Sequence, residues 1–176
     1  MKATGIIRRI DELGRIVVPK EIRKNLRIKE GENLEIFVDS EENIVLKKHS
    51  LIKKMDDLAQ NFTDAIHSFI KKNIIITDNN IILAASGSIK KEYLNKTISI
   101  EFENKINRRE EMIEKHSKPI NIIEEKQIEA TYAISPIIVN GDTVGTVMIF
   151  CTESQIDDID YKIVQIVSKV LTSHLE

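Results

Sequence analysis

Apolar residues run in short Ile/Val blocks through the first fifty positions. GIIRRI (5–10) and GRIVVP (14–19) predict two short strands. Asp11-Glu12-Leu13 separates them, and Gly14 is free to take the positive φ that a tight turn requires. Pro19 cannot donate to a ladder, so the second strand ends there. KEIRKNL (20–26) sets Ile22 and Leu26 one turn apart and predicts a small helix. NLEIFV (33–38) alternates as a half-buried strand does. Ser40-Glu41-Glu42-Asn43 is turn-like, and IVLKK (44–48) is the returning strand.

Four short strands and one small helix cannot bury a core. Domains of this size need a disulfide, a metal or a partner chain. Cys151, far away, is the one cysteine, and His49 is the nearest histidine. A second copy of the chain is the remaining answer, and the expectation is an obligate homodimer.

The pattern then changes. Leu51, Met55, Leu58, Phe62, Ala65 and Phe69 recur at spacings of 4, 3, 4, 3 and 4, a heptad seam over 51–72. Such a helix either self-associates or packs on its own domain. From 73 onward, strands are expected at 74–77 and 81–85, with Ser86-Gly87-Ser88 as a loop. A charged amphipathic helix is expected over 99–116, carrying Ile100, Ile106 and Ile113, and a short strand at 120–123. TYAISPIIV (131–139) and TVGTVMIFC (143–151) flank Asn140-Gly141, a strong hairpin signal, and Pro136 implies an edge or a bulge. The last helix, 156–175, would use Ser154 as its cap and bury Ile159, Ile163, Ile166, Val167, Val170 and Leu171. The expected class is α+β, with the domains running 1–50, 51–72 and 73–176.

Net charge is −2, but it is unevenly spread. Residues 1–54 hold 13 Lys/Arg against 9 Asp/Glu, and residues 55–176 hold 13 against 19. A basic front and an acidic back suit a polyanionic partner for the front only. The N-terminus shows no signal-peptide pattern, and no segment reaches the roughly 20 apolar residues of a membrane span, so a cytoplasmic protein with no membrane partner is expected. The histidines are scattered and a lone cysteine cannot build a zinc site. No catalytic residue, metal site or cofactor is therefore expected.

The string TGIIRRIDELGRIVVPKEIRKNLRIKEGENLEIFVDSEENIVLKK closely resembles the AbrB-type swapped-hairpin family of DNA-binding domains. AASGSIKKEYLNKTIS (84–99) and VNGDTVGTVMIF (139–150) look like sporulation regulators that join this module to a GAF-like domain. The resemblance implies an intertwined dimer whose N-terminal halves form one swapped-hairpin β-barrel. It also implies a linking helix, a C-terminal GAF-like α/β sheet domain, assembly to a homotetramer, and control of transcription in the forespore, close to the nucleoid.

Double-stranded DNA is then the expected partner. By resemblance, Arg8, Arg15, Arg23 and Lys24 fall where the family places its DNA-contacting residues, with Arg9 and Lys20 beside them. Arginine offers a planar fork of donors that fits phosphate and guanine edges; Lys24 keeps the charge without the fork. Each of these can also be an ordinary surface charge, some paired with Asp11, Glu12 and Glu21. A small-molecule effector of the GAF-like domain would meet Ser86, Gly87, Ser88, Tyr93, Thr131 and Tyr132, whose hydroxyls can orient a ligand. Asn95-Lys96 does not continue into the NKxFDE pattern of cyclic-nucleotide GAF domains, so that ligand class is not expected. Two other classes compete. An enzyme, such as a reductase of oxidised methionine, would need more cysteines than one. An antitoxin would have a short disordered tail where this chain has the apolar content of a folded domain.

Overall fold

The computed structural model describes residues 5–176, apart from the side chains of Lys53 and Lys54. The first four residues of the expected 1–50 module lie outside this range. The chain divides into two compact units, Met1–His49 and Ser50–Glu176.

The first unit holds α1 (Lys20–Asn25), β1 (Leu34–Val38) and β2 (Ile44–Lys48). Strands β1 and β2 form an antiparallel hairpin running from Leu34↔Lys48 to Val38↔Ile44. Asp39 fixes its turn: the carboxylate accepts from the backbone N–H of Glu41 and of Asn43, each at 2.9 Å. The two strands expected at 5–10 and 14–19 are not formed in the single chain, which corrects the sequence expectation. A two-stranded hairpin is marginal until its apolar face is covered. Here Ile7 is 88% exposed and Val17 74%, and no described residue of this unit is buried.

In the second unit a 3-10 turn (Ile52–Met55) leads into α2 (Asp56–Ile70). Then follow β3 (Asn73–Asp78), β4 (Ile82–Ser86), α3 (Lys90–Tyr93), α4 (Ile100–Ile106), β5 (Met112–Ile123), β6 (Lys126–Val139), β7 (Asp142–Cys151) and α5 (Asp158–Leu175). The five strands form one antiparallel sheet in the order β4-β3-β7-β6-β5. Alternation along the strands builds two cores. Ile74, Ile76, Val147 and Ile149 face α2 and α5, while Ile75, Met148, Phe150 and Ile134 face α3 and α4. The unit is therefore three layers deep.

Three expectations need correction. The helix expected over 99–116 stops at Ile106, and Met112–Ile123 is instead an edge strand. Arg109 turns the chain with a φ of 59°, and beyond it Ile113 pairs with Ala133 on β6. Charges and Pro119 make this stretch look unlike a strand, yet these are the residues that keep an edge from pairing further. The cap of α5 is Asp157, not Ser154: its carboxylate accepts from Ile159 N at 2.8 Å and Asp160 N at 3.0 Å. Along α5 the buried residues are Asp160, Val164, Val167, Ser168 and Leu171, whereas Ile159 and Ile166 face out. Polar bonds set this rotation. Ser168 bonds Ser135 on β6 at 2.7 Å, and Asp160 accepts from Lys72 at 2.5 Å.

Elsewhere the structure agrees with the pattern. Asn140 and Gly141 both take positive φ in the β6–β7 hairpin, as a two-residue turn of the primed kind requires. Pro136 sits where β6 has run past its last β5 partner, Ile134↔Met112, one residue before a register shift against β7. The heptad seam divides. Met55, Leu58 and Phe62 pack on the unit's own core, while Ala65 and Phe69 are exposed, Phe69 by 88%.

Candidate functional site

The basic residues of the first unit lie on three local pieces of structure. Arg8 and Arg9 are on the exposed stretch before the turn, and the Arg8 guanidinium donates to Ile7 O at 3.1 Å. Arg15 closes the turn, its side chain 70% exposed. Lys20, Arg23 and Lys24 belong to α1, where the i, i+3, i+4 spacing puts them on one face. Lys20 and Lys24 are exposed and Arg23 is half-buried. The structure thus groups Lys20, Arg23 and Lys24 by helical period, and sets Arg15 apart on its turn.

Charge pairing differs among them. Arg15 Nε donates to Asp11 Oδ2 at 2.7 Å. Asp11 Oδ1 also accepts from the backbone N–H of Leu13 at 3.0 Å and of Arg15 at 2.8 Å. The Arg15 backbone N–H and then its guanidinium hold the Asp11 carboxyl below the usual carboxylate range. Gly14 takes a φ of 76° and donates to Asp11 O at 2.9 Å. Sequence reasoning takes Asp11 only as turn material and as a neutralising charge. An Asp opening a tight turn that ends in Gly-Arg is the signal that points to its second role.

The six effector residues do not converge. Ser86 is buried on the α2 side, where its hydroxyl donates to Asp64 Oδ1 at 2.5 Å and lies 3.0 Å from Thr63 Oγ1. Gln60 of α2 reaches the same hydroxyl at 3.2 Å. Thr131 accepts from Ile156 N at 3.1 Å and donates to Ser154 O at 3.0 Å, so it fastens the segment before α5. Gly87 turns the chain after β4, and Ser88 donates to Asn73 Oδ1 at 3.2 Å.

Tyr93 and Tyr132 lie together in the core on the α3–α4 side. The Tyr93 ring is 5.9 Å from that of Phe150, which pairs with Tyr132 across the sheet. Each tyrosine carries a lysine. Lys105 Nζ donates to Tyr132 OH at 2.7 Å and sits 4.8 Å from the ring centre; Lys126 Nζ sits 5.6 Å from that of Tyr93. Burial, with the charge of Glu92, pushes the Tyr93 hydroxyl up to about 12.

Cys151 is buried, and burial pushes its thiol up, away from the thiolate a nucleophile needs. Among the described residues no group of His, Cys, Asp and Glu is placed to hold a metal. No helix of the described residues is long and apolar enough to cross a membrane.

Comparison with known proteins divides the chain as the fold does. The family model described as stage V sporulation protein T C-terminal, transcription factor, matches residues 54–176. A second model, for antidote-toxin recognition MazE, a bacterial antitoxin, matches residues 7–54. Stage V sporulation protein T of Bacillus subtilis (strain 168) is 40% identical over 177 residues, covering 100% of this chain and 99% of that protein. Transition state regulatory protein AbrB of the same organism is 57% identical over 49 residues, 28% of this chain and 50% of that protein. Among solved structures, the GAF domain of an Acinetobacter phosphoenolpyruvate-protein phosphotransferase superposes with a TM-score of 0.56 at 10% identity, covering 73% of this chain and 84% of that one. At that identity the likeness shows the fold alone: the second unit is GAF-like.

Proposed function

This chain belongs to the stage V sporulation protein T family, and from that premise we propose that it regulates transcription of sporulation genes by binding double-stranded DNA in a sequence- or shape-selective way. The working unit is a homodimer in which two copies of residues 1–50 interleave. The observation that carries this reading is the first unit's missing core. Most of its Ile and Val residues, among them Ile7, Ile10, Val17, Ile36, Val38 and Ile44, are exposed in one chain, as they must be if a second chain covers them. In a two-fold dimer every basic residue appears twice, so a few arginines become an extended positive surface. Arg8, Arg15 and Arg23 contact phosphates and base edges, Lys24 contacts phosphate, and Arg9 and Lys20 flank them.

On this reading the segment expected as a link, 51–72, joins the module to a GAF-like sensory domain and packs on that domain's own core, so the sensory unit begins near residue 50 rather than at 73. Assembly continues to a homotetramer. Support for that step comes from the outer faces of α2 and α5, which leave Phe69 88%, Ile159 66% and Ile166 61% exposed. A small-molecule effector would act through the second unit; of its expected contacts, Ser86 and Thr131 are bonded to the unit's own helix α2 and pre-α5 segment, which leaves Tyr93 and Tyr132 as the candidates. Tyr93 and Tyr132 are the pair that shares a face. The protein works in the cytoplasm, on the nucleoid of the forespore, and carries out no catalysis.

An antitoxin is the second reading, favoured by the match over residues 7–54. Segments that block a toxin order themselves on their target, whereas residues 50–176 hold two packed cores of their own. That weighs toward the regulator.

Titrating a promoter fragment at several salt concentrations tests the DNA-binding residues. Arg15→Ala and Arg23→Ala each weaken binding and flatten its salt dependence by about one unit of slope for each phosphate left unneutralised. Unchanged slopes would sink the assignment.

A further inference from the structure

We infer that Asp11 is a positioning residue for DNA recognition, holding the Arg15 guanidinium in its binding geometry without touching the nucleic acid itself. This rests on the reading of Arg15 as a residue that touches DNA.

The turn from 11 to 15 is closed by Asp11 at every level. Its backbone N–H donates to Arg15 O at 3.1 Å, and its carbonyl accepts from Gly14 N. One carboxylate oxygen takes the backbone N–H groups of Leu13 and Arg15, and the other takes Arg15 Nε at 2.7 Å. The same carboxylate therefore fixes both the backbone and the side chain of Arg15. A guanidinium carries five N–H donors in a rigid plane. Binding it through Nε leaves the four terminal N–H groups free, and these are the edge that meets a phosphate or the O6 and N7 of guanine. Within the single chain 70% of the Arg15 side chain is exposed, and the carboxylate is what gives the guanidinium a direction.

Charge alone argues the other way. A carboxylate close to a polyanion opposes binding, so a residue that were merely an acidic surface group would improve affinity when removed. The two roles predict effects of opposite sign.

The experiment measures affinity of the full-length protein for a promoter duplex and for a random duplex of equal length. The variants are Asp11→Asn, Asp11→Ala, Arg15→Ala and the double variant Asp11→Ala/Arg15→Ala. Asp11→Asn keeps an oxygen for the backbone N–H groups and loses the ion pair. Sedimentation checks that each variant keeps the wild-type assembly. We expect Asp11→Asn and Asp11→Ala to weaken promoter binding by about fivefold, the order of one net hydrogen bond. Binding to the random duplex should be unchanged or tighter. In the Arg15→Ala background, Asp11→Ala should cost nothing further. Equal or tighter promoter binding by both Asp11 variants, with Arg15→Ala still weak, overturns the positioning role. So does an undiminished effect of Asp11→Ala in the Arg15→Ala background, which would make Asp11 a residue of the turn alone. An Arg15→Ala variant that binds like wild type overturns the underlying reading of Arg15 instead.

Discussion

Val17 and Val147 are the same side chain in opposite circumstances. Val17 is 74% exposed in the first unit, and Val147 is fully buried in the second, between β3 and β6. The contrast holds for the units at large. Residues 50–176 close two cores, one on each face of the sheet, while no described residue of the first unit is buried. On the proposed dimer, burial within one chain measures importance in the second unit and conceals it in the first. An exposed valine is unremarkable singly, but Ile7, Ile10, Leu13, Ile16 and Val17 in one short segment are an apolar stretch left uncovered in the single chain, which the proposed dimer would bury.

The largest expected effect tests that contrast directly. Val17→Asp lies on the surface of a single chain, where a substitution costs within about 0.5 kcal/mol. If two chains interleave, it abolishes the dimer and specific DNA binding together. Sedimentation and a binding titration on the same sample check this; a monomer that still binds DNA would refute it. Next comes Phe150→Ala, in the core of the second unit. It should cost that unit about 4 kcal/mol in thermal or denaturant unfolding. DNA binding should persist at temperatures where the unit stays folded. Coupled loss of both would mean that the units are less independent than their separate packing indicates.

The smallest effect is at the helix cap. Asp157→Ala should lower stability by about 1 kcal/mol at neutral pH. The Asp160 backbone N–H, foremost, holds the Asp157 carboxyl below its ordinary 3.8. A lowered folded-state value contributes stability that is present above 3.8 and lost as pH falls through the folded value. The difference between wild type and variant should therefore shrink in acid, as unfolding curves between pH 7 and pH 2 would reveal.

Legibility in the sequence follows the same division. Strands β1 and β2, the Asn140-Gly141 hairpin and helix α5 are readable because alternation, turn chemistry and helical period are local. Two kinds of fact are not. The strands expected around Gly14 are not formed in the single chain, where their apolar side chains stay uncovered. The first half of the edge strand β5 passes for the end of a helix, and only 120–123 reads as strand, because charge and Pro119 disguise the rest of a strand whose partner, β6, lies across a turn. At the candidate site, residue type marks the arginines. Residue type alone does not show that Asp11 grips Arg15, since a turn residue and a clamp are the same letter; only the Asp-to-Gly-Arg spacing of the turn hints at it. Nor can residue type separate Ser86 and Thr131, bonded toward α2 and the segment before α5, from the tyrosines on the opposite face.

The strand order has a consequence for how the protein is made on the ribosome. Strand β7 lies at the centre of the sheet, between β3 and β6, yet it is the last strand synthesised. Until residue 151 has emerged, the second unit can exist only as two separate hairpins, β3–β4 and β5–β6, each with an open edge toward the gap. Meanwhile the first unit is already outside the exit tunnel with its apolar segment uncovered. On the proposed dimer, the apolar segment at the front is therefore available to a neighbouring chain before the sheet at the back has closed.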